Sequence, residues 1–294
     1  MKVFWQKNNL RTIEYNDKIP LAITKALTKK EVTIMAVLSI NFYSTVLGHD
    51  TDVNVIIPDE KNITDFSIKR VAYDTVYLLH GMGDNASGWG RYSNVERYAN
   101  ETGFLVVMPS AEHSYYTNEV NGKAWGDFFE IELPYHLNKW FNLSQNKFIA
   151  GLSMGGYGAF KIGLMHLNEF KGIAGFSSVL SLIELKKQAP EELKPTVDQV
   201  YKTIFGTTNP TESIHNLVSE VETYCLDQKG PLIIHYCGLD DFLYDDNKQF
   251  MEAMNKIGAN YLYEEWEGAH EWDFWDTAIF KALKLFREVI EHGE

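Results

Sequence analysis

Residues 149–158 read Ile149-Ala150-Gly151-Leu152-Ser153-Met154-Gly155-Gly156-Tyr157-Gly158. At their centre, Gly151-Leu152-Ser153-Met154-Gly155 fits G-x-S-x-G, the layout of a serine on a sharp turn between a strand and a helix. A reactive serine needs this geometry. The turn exposes the hydroxyl, and the flanking glycines remove the Cβ atoms that would clash there. The helix that follows presents its positive dipole end to developing negative charge. The five-residue pattern alone arises by chance in roughly one chain of this length in ten, so its surroundings must carry the reading. They are favourable: a short apolar strand (147–150) precedes it, and a helix rich in small residues runs on to about His166.

Working outward, strands alternate with helices from Met35 onward. Val37–Ser44 and Asp52–Pro58 read as an opening β-hairpin, and Thr75–Leu79, Phe104–Met108, Gly172–Ser177, Leu232–Tyr236 and Tyr261–Trp266 as further strands. Ser93-Asn94-Val95-Glu96 fits a capping box. Helices are expected over Phe128–Phe141 and Asp245–Ile257. A closing helix should place Ile279, Leu283, Phe286 and Ile290 on one face. Alternation of this kind implies a mostly parallel central sheet flanked by helices. With the serine turn it implies the α/β-hydrolase fold, in one domain over residues 35–294. The segment 180–229 is polar and largely helical, a small cap-like insertion.

In that fold the partners of the serine follow it in the order acid, then histidine. His270, in Glu267-Gly268-Ala269-His270-Glu271-Trp272, lies in the loop after the last strand, where the base is needed; His292 sits in a charged tail. The acid should follow the strand Leu232–Tyr236, where Gly238-Leu239-Asp240-Asp241-Phe242 offers two aspartates. Spacing favours Asp241, with Asp240 as the alternative. Asp245 and Asp246 read as first-turn helix charges. Acyl transfer also needs two N–H donors for an oxyanion. Met154 supplies one as the residue after the serine, and Met82, in His80-Gly81-Met82-Gly83, supplies the other. His80 reads as a structural residue that fixes this loop, and His235 as a satisfied core histidine. Trp125 and Trp272 are candidate walls of a substrate pocket, with core packing as the competing reading.

Composition narrows the partners. Net charge is −13, which disfavours nucleic acid and anionic membranes. The two cysteines, Cys225 and Cys237, make no disulfide scaffold and no metal-ligand spacing, and suit a reducing cytoplasm. No apolar run approaches the ~20 residues of a membrane helix. Neither a metal nor a cofactor is expected. A homo-oligomer is compatible with the sequence. Residues 1–34 differ from the rest: seven basic and three acidic residues give +4, while the other 260 carry 20 basic and 37 acidic, −17. Lys30-Glu31-Val32 can be encoded by AAGGAGGTN, which resembles a ribosome-binding site, and Met35 follows at a suitable spacing. Two readings stand: translation from Met35 with an upstream over-read, or an N-terminal arm.

Four motifs together resemble the bacterial tributyrin esterases. They are Leu78-Leu79-His80-Gly81-Met82-Gly83-Asp84-Asn85, the stretch 149–158, Gly238-Leu239-Asp240-Asp241-Phe242-Leu243-Tyr244 and His270-Glu271-Trp272. Those esterases belong to a wider esterase group with esterase D (S-formylglutathione hydrolase), feruloyl esterases and mycolyltransferases. The resemblance covers about Met35 to Glu288. It implies an α/β-hydrolase fold, no cofactor and hydrolysis of short-chain acyl esters. It assigns Ser153 as nucleophile, Asp241 as acid and His270 as base. A thioesterase acting on S-formylglutathione, a feruloyl or acetyl-xylan esterase, an acyltransferase and a non-catalytic binding module remain as alternatives.

Overall fold

The computed structural model describes residues 35–59, 72–206, 216–221, 224 and 229–292. The N-terminal segment 1–34 and Cys225 lie outside the described residues. The chain opens with an antiparallel hairpin of β1 (Ala36–Ser44) and β2 (His49–Ile57). Next come β3 (Tyr73–Leu79), α1 (Gly88–Tyr92), α2 (Val95–Thr102) and β4 (Leu105–Pro109). A π-helical stretch, Phe128–Glu132, leads into α3 (Leu133–Trp140). Then follow β5 (Leu143–Leu152), α4 (Met154–Met165) and β6 (Gly172–Phe176). The stretch between β6 and β7 holds α5 (Leu182–Gln188), α6 (Lys194–Phe205) and α7 (Leu217–Glu220). The chain closes with β7 (Leu232–Gly238), α8 (Tyr244–Ile257), β8 (Tyr261–Trp266) and α9 (Trp272–His292).

The eight strands form one sheet in the order β1-β2-β4-β3-β5-β6-β7-β8. The β1–β2 and β2–β4 pairs are antiparallel, and every pair from β4 to β8 is parallel. This is the α/β-hydrolase fold. Its parallel strands are apolar on both faces because helices cover both. In β3, Val76 and Leu78 pack towards α2 and α9, while Tyr77 and Leu79 pack into the opposite layer with α4 and α8. The stripe expected on the closing helix is buried at Ile279, Leu283 and Phe286, and Ile290 packs partly buried against the same layer. β5 lies between β3 and β6, so the turn at its end emerges near the middle of the sheet, where a parallel sheet binds its ligands.

Two local expectations are corrected. The capping box at Ser93–Glu96 does not form. Asn94 makes no side-chain cap. Instead, the carboxylate of Asp276 on α9 accepts from the Asn94 N–H at 2.6 Å and its side-chain amide at 3.1 Å. The Ser93 hydroxyl accepts from the Val95 N–H at 3.3 Å, and a charge from a distant helix stands in for the reciprocal half of the box. The single helix expected over Phe128–Phe141 is also divided. Pro134 has no N–H for the carbonyl four residues back, and the N–H of Leu133 reaches back five residues to Phe128.

That π-helical turn places Glu132 beneath the β1–β2 hairpin. Its buried carboxylate accepts from the Ser44 hydroxyl, from the Thr45 N–H at 2.8 Å and from the Thr45 hydroxyl at 2.6 Å. Burial alone would raise the Glu132 pKa, but the donated hydrogen bonds of Ser44, Thr45 and Val46 outweigh it and hold the group below the usual carboxylate range. Glu132→Gln is expected to cost about 1–3 kcal/mol of stability near neutral pH, measured by urea unfolding. A lowered folded pKa contributes stability that is complete above the unfolded value and is lost as pH falls through the folded one. The difference between wild type and variant should therefore close on acidification. A difference constant from neutral to acid pH would contradict the ionic role of Glu132.

Candidate active site

Ser153 sits between β5 and α4 at φ 53°, ψ −116°, a backbone conformation that a non-glycine residue keeps only under constraint. The constraint is visible. The Ser153 N–H donates to the Phe176 carbonyl at 2.9 Å, and its carbonyl accepts from Val179 at 3.2 Å and Tyr157 at 3.1 Å. Both flanking glycines are required by close approach. A Cβ on Gly151 would collide with the Gly155 carbonyl, and one on Gly155 with the Leu79 carbonyl. The start of the helix can approach the β5 and β3 backbones this closely only with glycine at these two positions.

His270 reaches Ser153 from the loop between β8 and α9. Its Nε2 lies 3.0 Å from the Ser153 hydroxyl oxygen, and its Nδ1 lies 3.0 and 3.1 Å from the two Asp241 carboxylate oxygens. Phe242 and Trp275 flank the imidazole, with ring centroids 4.7 and 4.9 Å away. Asp241 has a fully buried side chain and also accepts from the Leu243 N–H at 2.9 Å. Burial pushes its pKa up, but the hydrogen bond and charge of His270 and the Leu243 N–H prevail and hold it below the usual range. Asp240 is exposed, so the structure brings Asp241 to the histidine and leaves its neighbour in solvent. Such a chain can draw a proton from the hydroxyl through one imidazole.

The loop after β3 borders the same space. The Ala111 N–H donates to His80 Nε2 at 2.9 Å, so Nδ1 carries the proton and donates to the Gly81 carbonyl at 2.7 Å. Burial lowers the His80 pKa to about 4, which keeps it neutral. It fixes the Gly81–Met82 backbone. Met154 opens α4, where the first N–H groups of a helix have no intrahelical acceptor. A cavity of ≈ 440 Å³ opens over Ser153. Its walls include Met82, Leu152, Val179, Phe242, Trp272 and Trp275, and Leu185, Leu193 and Val197 from the stretch between β6 and β7. Trp272 thus borders the site. Trp125 does not: it is buried between Phe128, Phe129 and His49 in the core layer under the hairpin. Among the described residues, no group of three or more His, Cys, Asp and Glu is placed to hold a metal ion, and no helix is long and apolar enough to cross a membrane.

An esterase family model ("Putative esterase") matches residues 44–286. The chain belongs to this esterase family. It is 32% identical to an acetyl esterase of Caldicellulosiruptor saccharolyticus, over 87% of this chain and 99% of that one. Two solved structures from Staphylococcus aureus, each 29% identical, superpose on it. The fluorophosphonate-binding serine hydrolase FphF matches at TM-score 0.75, covering 86% of this chain and 98% of its own. The S-formylglutathione hydrolase FrmB matches at 0.71, covering 87% and 100%. Family, fold and site agree on a carboxylic-ester hydrolase of the serine type.

Two residues beside the site carry more than their sequence position suggests. Asp246 stands in the first turn of α8, as expected, but it is also buried and accepts from the Leu180 and Ser181 N–H groups at 3.1 and 3.2 Å. Burial raises its pKa to about 6. Asn247 is also buried. Its side-chain oxygen accepts from the Ser178 N–H at 3.0 Å and from His235 Nε2 at 2.7 Å, and its amide donates to the Ser178 and Leu243 carbonyls at 2.9 and 2.8 Å. The Tyr261 hydroxyl lies 2.7 Å from His235 Nδ1, which satisfies the other ring nitrogen. Asn247 therefore ties the segment after β6, which holds Ser153, to the loop that carries Asp241. Asn247→Ala should destabilise the fold by about 2–4 kcal/mol, since several buried groups lose their partner. It should also lower kcat roughly ten- to a hundredfold through misalignment while KM on a small ester changes little. An unchanged kcat would contradict this positioning role.

Proposed function

We propose that the chain hydrolyses short-chain acyl esters of the acetyl or butyryl type through a covalent acyl-enzyme on Ser153. The observation that carries this reading is the joint placement of His270, 3.0 Å from the Ser153 hydroxyl and 3.0 Å from the Asp241 carboxylate. Asp241 stays ionised at neutral pH because its pKa is lowered. It accepts the Nδ1–H of His270 and so leaves Nε2 free to take the Ser153 proton. The Ser153 oxygen attacks the ester carbonyl, and the resulting oxyanion is bound by the N–H groups of Met82 and Met154. The imidazolium returns its proton to the departing alcohol. Water, deprotonated by the same imidazole, then releases the carboxylic acid and restores the hydroxyl.

Leu185, Leu193 and Val197 line the cavity over Ser153, which supports a cap-like role for the described helices α5 and α6 beside it. The buried free thiol of Cys237 suits a reducing compartment, and the cytoplasm is the proposed location. Ser153→Ala and His270→Ala should each lower kcat on p-nitrophenyl acetate by ~10⁴-fold or more. Asp241→Asn should do so by ~10⁴-fold through the wrong imidazole tautomer. Asp240→Asn should leave the rate within a few-fold. Ser153→Ala turnover near the wild-type level would overturn the mechanism.

A further inference from the structure

The charge on the cavity wall is one-sided. Among the described residues, Asp84 and Glu271 are the acidic side chains that line it, no lysine or arginine does, and His270 is the one basic group. Arg91 attracts Asp84 and lies over the Tyr92 ring, and it is not one of the residues that line the cavity. Glu271 is exposed and follows His270 directly. In a serine hydrolase the imidazole hands its proton to the leaving oxygen, so the leaving group must lie beside the histidine. The alcohol portion of a substrate therefore passes next to Glu271. Asp84 stands two residues beyond Met82 on the opposing loop, its N–H donating to the Gly81 carbonyl at 3.3 Å. The net charge of −13 adds a field of the same sign over the whole surface.

We propose that Asp84 and Glu271 make the mouth of this site select against esters and thioesters whose leaving group carries negative charge, so that its substrates are acyl esters of uncharged alcohols. This rests on the esterase reading of Ser153 and sharpens its substrate class. Thioesters of glutathione, whose two carboxylates and one ammonium leave a net negative charge, become poor substrates here, whereas esters of a neutral polyol or sugar hydroxyl are accepted. Near a hydrated protein surface each acidic side chain should be worth roughly a three- to tenfold effect on an anionic substrate.

Three meta-substituted phenyl acetates test this: the neutral 3-acetoxybenzamide, its near-isostere 3-acetoxybenzoate and the cationic (3-acetoxyphenyl)trimethylammonium, each rate divided by the ester's own rate with free imidazole. In the wild type, kcat/KM should fall roughly tenfold or more from the neutral to the anionic ester, and should not fall for the cationic one. Glu271→Gln should shrink the neutral-to-anionic ratio by roughly three- to tenfold, and the double variant with Asp84→Asn further. High salt should compress the wild-type ratio as well, a response that a purely structural role for either residue would not produce. The ratio is internal to each variant, so a general loss of rate from a disturbed loop does not mimic the result. A wild-type ratio near one, or a ratio unchanged in Glu271→Gln and in high salt, overturns the charge selection while leaving the esterase reading intact. Failure of all three esters to turn over overturns both.

Discussion

The site depends on one constrained residue. Ser153 holds φ at 53° because the end of β6 and the segment after it grip it from both sides, through Phe176 on its N–H and Val179 on its carbonyl. Relaxing that backbone would turn the hydroxyl away from His270. The glycines at 151 and 155 follow from the same demand, since the α4 helix must start against the β3 backbone. The strain is therefore spread over the central strands of the sheet, the most buried part of the molecule.

The other two members are held by different means. His270 is wedged between the rings of Phe242 and Trp275, and Asp241 is buried with a backbone N–H and the imidazole as partners. Asn247 then joins the acid loop to the segment that grips the serine. Three loops at one end of a parallel sheet become a single rigid constellation, which is what proton transfer over one hydrogen-bond length requires.

Much of this was legible in the residue order. The strand-turn-helix motif at Ser153 and the acid and histidine after the last strands all sit at strand ends, where position along the chain determines position in the fold. What was not legible depends on contacts across the fold. Asn94 looked like part of a local capping box, but its partner is Asp276, 182 residues away. Trp125 was a plausible pocket wall until the course of its loop placed it under the hairpin. Asp246 reads as a first-turn helix charge, which it is, but its burial, like that of Asn247 beside it, depends on the segment after β6 packing over that turn. The π-helical turn had one local signal, Pro134, whose missing N–H breaks the α-helical ladder.

The most direct test of Ser153 as the attacking atom is intact-mass and peptide-mapping spectrometry after treatment with a fluorophosphonate. The account predicts one phosphonyl adduct per chain, on the peptide that contains Ser153, with labelling strongly slowed in His270→Ala. An adduct on another residue, or labelling of Ser153 as fast without His270 as with it, would contradict it.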